Sequence, residues 1–117
     1  MALNPMIITD PEEGREYTLE YSRKTVAKAE AAGLDVNKMD SAPMTMLPLL
    51  FWGAFLMHHP YMKQEDASRI LFEGLHGLST EEAEYLGKLY SEPFKTLIAG
   101  EDEGKAENPP RKMSVKI

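Results

Sequence analysis

The sequence predicts an α+β fold that is mostly α, with an N-terminal β-hairpin packed on a small bundle of about four helices and a disordered C-terminal tail. Alternating apolar residues near the N-terminus indicate two short strands. Four later segments combine helical apolar spacing with cap or stop residues. With 117 residues the chain has the length of one small domain, which we place at residues 1–99, followed by a flexible tail at 100–117.

Two short runs of residues predict the hairpin. Residues 6–9 form the first strand, and residues 16–21 form the second, in which every other residue is a tyrosine or a leucine and shares one face. The segment between them contains Pro11 and Gly14, residue types that suit a turn. Because two strands alone are marginally stable, we expect the hairpin to pack on the helices.

Ser22 predicts the start of the first helix, which runs to Ala32 and ends at Gly33. A polar connection follows over residues 34–41. Pro43 restricts the residue before it to extended geometry, so a new element begins there.

The second helix, predicted over residues 44–58, holds most of the large apolar side chains. They point in nearly every direction around the helix, which is typical of a helix surrounded by other elements. Pro48 is tolerated if it falls in the first turn, where its missing N–H costs little. Pro60 restricts His59, so the helix should end near His58.

Two further helices and a final turn complete the predicted domain. One helix covers residues 63–75, and the next covers about 80–90 after a capping box formed by Ser79 and Glu82. A last turn is predicted over 92–98. The apolar stripe of the helix at 63–75 consists of Ala67, Ile70, Leu71 and Leu75.

The residues after Gly100 begin with an acidic run that has no large apolar side chain. Such a run cannot offset the entropy lost on ordering, so we expect a flexible tail. Near its end Met113, Val115 and Ile117 alternate with polar residues. This tip is either simply solvated or able to add as a strand to a sheet edge.

The composition excludes several classes of protein. The chain has no cysteine, which excludes disulfides, thiolate metal sites and thiol nucleophiles. Acidic residues outnumber basic ones by 19 to 13, and the net charge of −6 lacks the basic footprint of a nucleic-acid-binding protein. The most apolar window, residues 44–57, is shorter than the roughly 20 residues of a membrane-spanning helix. No signal peptide is indicated, so we expect a cytoplasmic protein with neither nucleic acid nor membrane as partner.

The polar residues do not form the pattern of a catalytic or metal site. His58 and His59 are adjacent, so on a helix their side chains point about 100° apart and cannot chelate one ion. We expect them to bond the free carbonyls at the helix C-terminus. The segment 74–77 lacks the ending of a phosphate-binding loop, and the acidic residues at 81–84 suit a helix start. We predict no enzyme and no catalytic, cofactor-binding or metal-binding residue.

The chain contains eight methionines, and several lie in or beside the apolar helix. Methionine is unbranched and polarizable, so it packs against varied apolar partners. Simple filling of the core is the alternative. Together with small acidic helices and a loose tail, these residues favour a binding module over an enzyme.

Three segments resemble a known family. They are residues 15–26 (REYTLEYSRKTV), 42–55 (APMTMLPLLFWGAF) and 89–94 (LYSEPF), and they resemble small tail assembly chaperone-like proteins of siphophages and prophages of Gram-positive bacteria. The likeness spans about residues 15–98. It implies a non-enzymatic protein of the host cytoplasm that coats the tail tape measure protein and keeps it soluble until tail tube subunits polymerise around it. Such families often also make a longer product by translational frameshift, whose extension recruits the tail tube protein.

A chaperone for a long amphipathic helix must present an apolar groove. We predict the client-binding residues to be Met44, Leu47, Phe51, Phe55, Met57 and Met62, with Tyr90 and Phe94 as a second wall. Net negative charge would keep many copies apart. The alternative is a small homo-oligomeric helical adaptor or structural protein of the phage particle, whose apolar helix is buried against its own copy. A small phage enzyme or regulator is a third hypothesis, which the lack of polar clusters disfavours.

Overall fold

The computed structural model describes residues 3–10 and 14–96 and has the predicted architecture, an antiparallel hairpin with four helices. The strands are β1 (Met6–Asp10) and β2 (Arg15–Leu19). The α-helices are α1 (Arg23–Ala31), α2 (Pro43–Phe55), α3 (Gln64–Arg69) and α4 (Thr80–Ser91). Two short 3₁₀ helices cover Val36–Lys38 and Glu92–Thr96. The predicted tail at 100–117 and the end of the predicted turn at 97–98 lie outside the described residues.

The turn at Gly14 and the buried side chains of the two strands both favour the hairpin. Met6 is paired with Leu19, and Asp10 is paired with Arg15. Gly14 has a φ of 67° and donates its N–H to the Asp10 carbonyl at 2.7 Å, which closes the turn. The buried side chains of the two strands are Ile8, Tyr17 and Leu19, and Tyr21, two residues after β2, is buried on the same side. The alternation predicted for the second strand is therefore confirmed.

Helix α1 has the caps that the sequence predicts. The Ser22 hydroxyl accepts from the Thr25 N–H at 3.2 Å, and the Thr25 hydroxyl accepts from the Ser22 N–H at 2.9 Å. The helix ends at Ala31, and Gly33 follows with a φ of 114°.

Helix α2 is the centre of the fold. It packs against α1, α3, α4 and β2, as its all-round apolar character predicts. Its bounds differ from the prediction, because Pro43 is the first helical residue and the regular helix ends at Phe55. Pro48 consequently lies in the helix interior and not in the first turn. The short loop after Phe55 is held by the His59 N–H, which donates to the Phe55 carbonyl at 2.7 Å.

The helix predicted over 63–75 is not regular throughout. After α3 the chain continues as one π turn over Ile70–Gly74, and the Leu75 N–H donates to the Ile70 carbonyl at 2.8 Å. His76, at a φ of 57°, and Gly77, at 93°, then turn the chain. The predicted stripe still faces inward, since Ala67 and Leu71 are buried while Ile70 and Leu75 are half-buried.

Helix α4 begins with the predicted capping box. The Ser79 hydroxyl accepts from the Glu82 N–H at 3.1 Å, and the Glu82 carboxylate accepts from the Ser79 N–H at 2.8 Å. Leu86, Leu89 and Tyr90 form its buried face. Among the helices in residues 3–10 and 14–96, none has both the length and the apolar character needed to span a bilayer.

Candidate functional site

An apolar groove lies between α2 and α4, with a volume of about 730 Å³. We call it the α2–α4 groove. Its lining includes both helices, the first 3₁₀ helix and the residue Leu3. The apolar lining residues are Leu3, Val36, Met39, Leu47, Leu50, Ala83, Gly87 and Tyr90. The polar lining residues are Glu84, Lys88, Ser91 and Lys95.

Two small residues of α4 keep the groove open. Ala83 and Gly87 lie four residues apart, about one helical turn, and both line the groove. A Cβ atom added to Gly87 would have no other atom within 4 Å. The groove is therefore empty above Gly87, and another chain could approach the α4 backbone closely at this point.

The wall formed by the first 3₁₀ helix is held by Asp35. Its carboxylate accepts from the Asn37 N–H at 3.0 Å and so caps the helix. The Asp35 N–H donates to the Met46 sulfur of α2 at 3.4 Å. Val36, at the start of this helix, remains largely exposed and presents its side chain to the groove.

Tyr90 connects the groove to α1. Its ring is mostly buried, and its hydroxyl donates to the Glu30 carboxylate at 3.3 Å. Burial first, and the nearby Glu30 charge second, raise the pKa of Tyr90 to about 12. The hydroxyl therefore stays protonated at neutral pH and acts as a hydrogen-bond donor to Glu30.

The apolar surface continues beyond the α2–α4 groove. Phe94 lines a second cleft of about 550 Å³ with Leu34, Val36 and Tyr90. It also lines a smaller cleft of about 190 Å³ that includes Val26 of α1. A surface of mixed apolar and polar residues thus runs from α4 around the second 3₁₀ helix to α1.

Three of the eight predicted client-binding residues lie in or beside this surface. Leu47 and Tyr90 line the α2–α4 groove, and Phe94 lines the adjoining clefts. Phe51 and Phe55 do not, and their prediction is corrected. Both are fully buried, because they point from α2 into the core, where the Phe55 ring centroid lies 5.4 Å from that of Tyr17. They offer no surface to a client in this folded chain.

The three predicted methionines also lie outside the groove lining. Met44 is 76% exposed at the start of α2, and Met57 is exposed just after its end. Met62 is half-buried, and its carbonyl accepts from the Trp52 indole N–H at 2.8 Å. Met39, which we did not predict, is the methionine that lines the groove.

The lining residues missed by the sequence analysis had weak signals. Val36 and Met39, like Leu34, are apolar residues in a connection whose other five residues are polar. Gly87 is an isolated glycine inside a helical pattern, which often marks a close approach of backbone. Neither signal says which surface the residue would face.

The two adjacent histidines have roles that the sequence did not predict. The Thr18 N–H donates to His59 Nε2 at 3.1 Å, and His58 Nε2 lies 2.8 Å from the Glu20 carboxylate. His59 therefore contacts β2 and His58 contacts the residue directly after it, and the prediction that they bond helix carbonyls is wrong. Burial first, and the proximity of His58 second, lower the pKa of His59. Within the part of the chain that the structure describes, no three acidic or histidine side chains are grouped to hold a metal ion.

The model of a family described as a domain of unknown function, DUF5055, matches residues 1–114. No curated protein and no solved structure matches the chain.

Proposed function

This chain belongs to the DUF5055 family, and we propose that it is a non-enzymatic phage tail assembly chaperone of the host cytoplasm. In this proposal it binds the helical tail tape measure protein and keeps it soluble before the tail tube polymerises. The observation that carries the proposal is the α2–α4 groove, which is apolar, open and unfilled by the chain's own described side chains.

The groove suits one apolar face of a client helix. Helix-in-groove recognition places side chains spaced three or four residues apart into an apolar trough. Ala83 and Gly87 leave room for the client backbone. Met39 supplies a flexible apolar side chain for contact with the client, and Leu47 supplies a bulky one.

The charged residues beside the groove have both signs. Glu84 and Lys88 come from α4, and Lys95 comes from the second 3₁₀ helix. A rim of this kind tolerates the mixed charges that flank the apolar stripe of an amphipathic helix. It therefore favours a binder of repeated, non-identical segments over a binder of one sequence.

The proposal includes the longer frameshifted product. In such a product the extension is made by translational frameshift near the C-terminus. We infer that such an extension would bring the tail tube protein to the tape measure protein.

The alternative function is a small homo-oligomeric helical adaptor or structural protein of the phage particle. It is favoured by apolar side chains exposed outside the groove, above all Tyr61, which is 94% exposed, and Met44. Surfaces of this kind are often covered by a partner or a second copy.

Filling the groove tests the chaperone proposal. In Gly87→Phe a large ring would occupy the empty space, whereas Gly87→Ala adds a single methyl group and serves as the matched control. We expect the tape measure protein to be soluble when it is co-expressed with the wild-type chain or Gly87→Ala. With Gly87→Phe we expect the soluble fraction to fall about tenfold, the effect of losing roughly 1.4 kcal/mol of binding free energy.

Circular dichroism and thermal melting of each variant show whether it is folded. If folded Gly87→Phe keeps the client soluble, the groove is not the client site. If the wild-type chain leaves the client insoluble, the chaperone proposal is wrong. Light scattering that shows a stable oligomer of the wild-type chain, kept in Gly87→Phe because Tyr61 and Met44 lie outside the groove, would favour the adaptor.

A further inference from the structure

The outer edge of β1 presents backbone groups that point away from the sheet. The Thr18 N–H of β2 donates outward to His59 Nε2, so Thr18 and its cross-strand partner Ile7 form a non-hydrogen-bonded pair. In such a pair both residues point their N–H and C=O groups away from each other. By the alternation of the strand, Thr9 has the same orientation as Ile7.

The two edges of the hairpin differ in how they are covered. On β2 and the residue after it, the outward N–H groups of Thr18 and Glu20 donate to His59 and to the Ala54 carbonyl. On β1, no residue in the described ranges 3–10 and 14–96 bonds the outward groups of Ile7 or Thr9. Ile7 is also 52% exposed. An open edge with an exposed apolar residue is prone to pair with another strand.

A cleft of about 460 Å³ runs beside this edge. It is lined by the consecutive residues Ile8, Thr9 and Asp10 and by Ile70 and Leu75 of the segment around the π turn. Because successive side chains of a strand point to opposite faces, three consecutive lining residues place the cleft alongside β1. A strand added at this edge would rest one face on Ile70 and Leu75.

The chain contains a segment whose pattern fits this edge, residues 112–117. Its apolar residues are Met113, Val115 and Ile117, and they alternate with Lys112, Ser114 and Lys116. In a strand the apolar set would face the cleft, and the lysines would lie on the solvent side. On that side lies the exposed Glu16, which is paired with Thr9. The lysines of the segment and Glu16 would therefore carry opposite charges on the same face of the sheet.

The segment can reach the edge of its own chain. Thr96 and Met113 are separated by 17 residue steps in the sequence, which span up to about 56 Å when extended. The longest dimension of the protein is 51 Å. A tethered segment also has a high effective concentration near its own domain, which favours it over the segment of a second copy.

We propose that residues 112–117 dock on their own chain as a third strand at the outer edge of β1. The added strand pairs with Ile7 and Thr9, covers the exposed edge and so prevents copies of the protein from joining edge to edge. This inference concerns a surface other than the α2–α4 groove and does not depend on the chaperone proposal.

Because the chain has no cysteine, an introduced pair of cysteines reports this contact without background. Thr9→Cys and Ser114→Cys would lie on the same solvent-exposed face of neighbouring strands, within reach of a disulfide. The matched control is Thr9→Cys with Ala106→Cys, which is closer along the chain but outside the docking segment. We expect the Ser114 pair to form an intrachain disulfide at least about tenfold faster than the control, as followed by mass spectrometry of the full chain.

A third variant adds Val115→Pro to the Ser114 pair. Proline cannot donate to a strand ladder, so the disulfide rate should fall to that of the control, while thermal melting of the domain stays unchanged. Equal rates for the two cysteine pairs would overturn the proposal. A disulfide that forms mainly between two chains would also overturn it, since the occupant would then be a second copy.

Discussion

At the scale of single residues, Gly53 sets the distance between α1 and α2. It is buried in α2, where the Tyr21 hydroxyl donates to the Leu50 carbonyl at 2.6 Å. A Cβ atom at Gly53 would collide with this hydroxyl and with the side chain of Ala29. Burial raises the pKa of Tyr21 far above its ordinary value, so its hydroxyl remains a donor. One absent methyl group thus permits both a close helix contact and a buried hydrogen bond.

We predict that Gly53→Ala lowers the free energy of unfolding by about 1–3 kcal/mol, because overpacking outweighs the better helix propensity of alanine. Urea unfolding measures the change. Gly87→Ala is the control, since its methyl group meets no atom within 4 Å and should raise stability by up to about 1 kcal/mol. Equal destabilisation of the two variants would contradict the close-contact explanation.

At the scale of elements, α2 contains a second proline, Pro48, in its interior. The helix begins at Pro43, where a missing N–H is harmless, and continues through Pro48. Pro48 cannot donate to the carbonyl four residues earlier, which belongs to Met44. Met44 is strongly exposed, so water can bond this carbonyl. The first turn and a half of α2, which carries Leu47 of the groove, is therefore weaker than a regular helix.

We predict that Pro48→Ala raises the free energy of unfolding by about 1–3 kcal/mol, because it restores a helical hydrogen bond. This gain outweighs the loss of stability that comes from the greater conformational entropy of the unfolded chain. Guanidinium unfolding measures this effect. Pro43→Ala should change stability much less, since the first helical N–H has no partner in either case. If the two variants behave alike, the interior proline does not weaken α2.

At the scale of the whole molecule, His59 joins the hairpin to the helices. Its ring centroid lies 5.3 Å from that of Tyr17 and 6.1 Å from that of Phe55. Its Nε2 accepts from the Thr18 N–H, which only the neutral imidazole can do. The neighbouring His58, itself beside Glu20, adds repulsion when it is charged. The hydrogen bond that joins β2 to the loop after α2 therefore requires an unprotonated His59.

We predict that the protein is less stable at pH 5.5 than at pH 7.5. The pKa of His59 is lowered in the folded state, so between that value and the unfolded value of about 6.5 the unfolded chain binds more protons. The contribution of His59 is full above pH 6.5 and is lost as the pH falls towards its folded pKa. Urea unfolding at both pH values measures the loss.

His59→Gln is the control, because glutamine can accept a hydrogen bond but does not titrate. Its stability should change less between pH 5.5 and pH 7.5 than that of the wild-type chain. The same pH dependence in both proteins would mean that another group is responsible.

The sequence by itself determined the local elements: the alternation of the hairpin, the caps at Ser22 and Ser79, and the turn at Gly33. These signals act between residues a few positions apart, so their spacing is visible in the chain. It did not determine the π turn or the partners of the two histidines.

Only the tertiary structure decided which apolar residues are open to a partner. The sequence marks Phe51 and Met44 alike as apolar residues of α2, yet one is fully buried and the other strongly exposed. The α2–α4 groove likewise depends on Met39 and Gly87, which are far apart in the chain and lie near each other only after α2 and α4 pack. Burial is a property of contacts between distant segments, and no local spacing encodes which face a neighbouring element will cover.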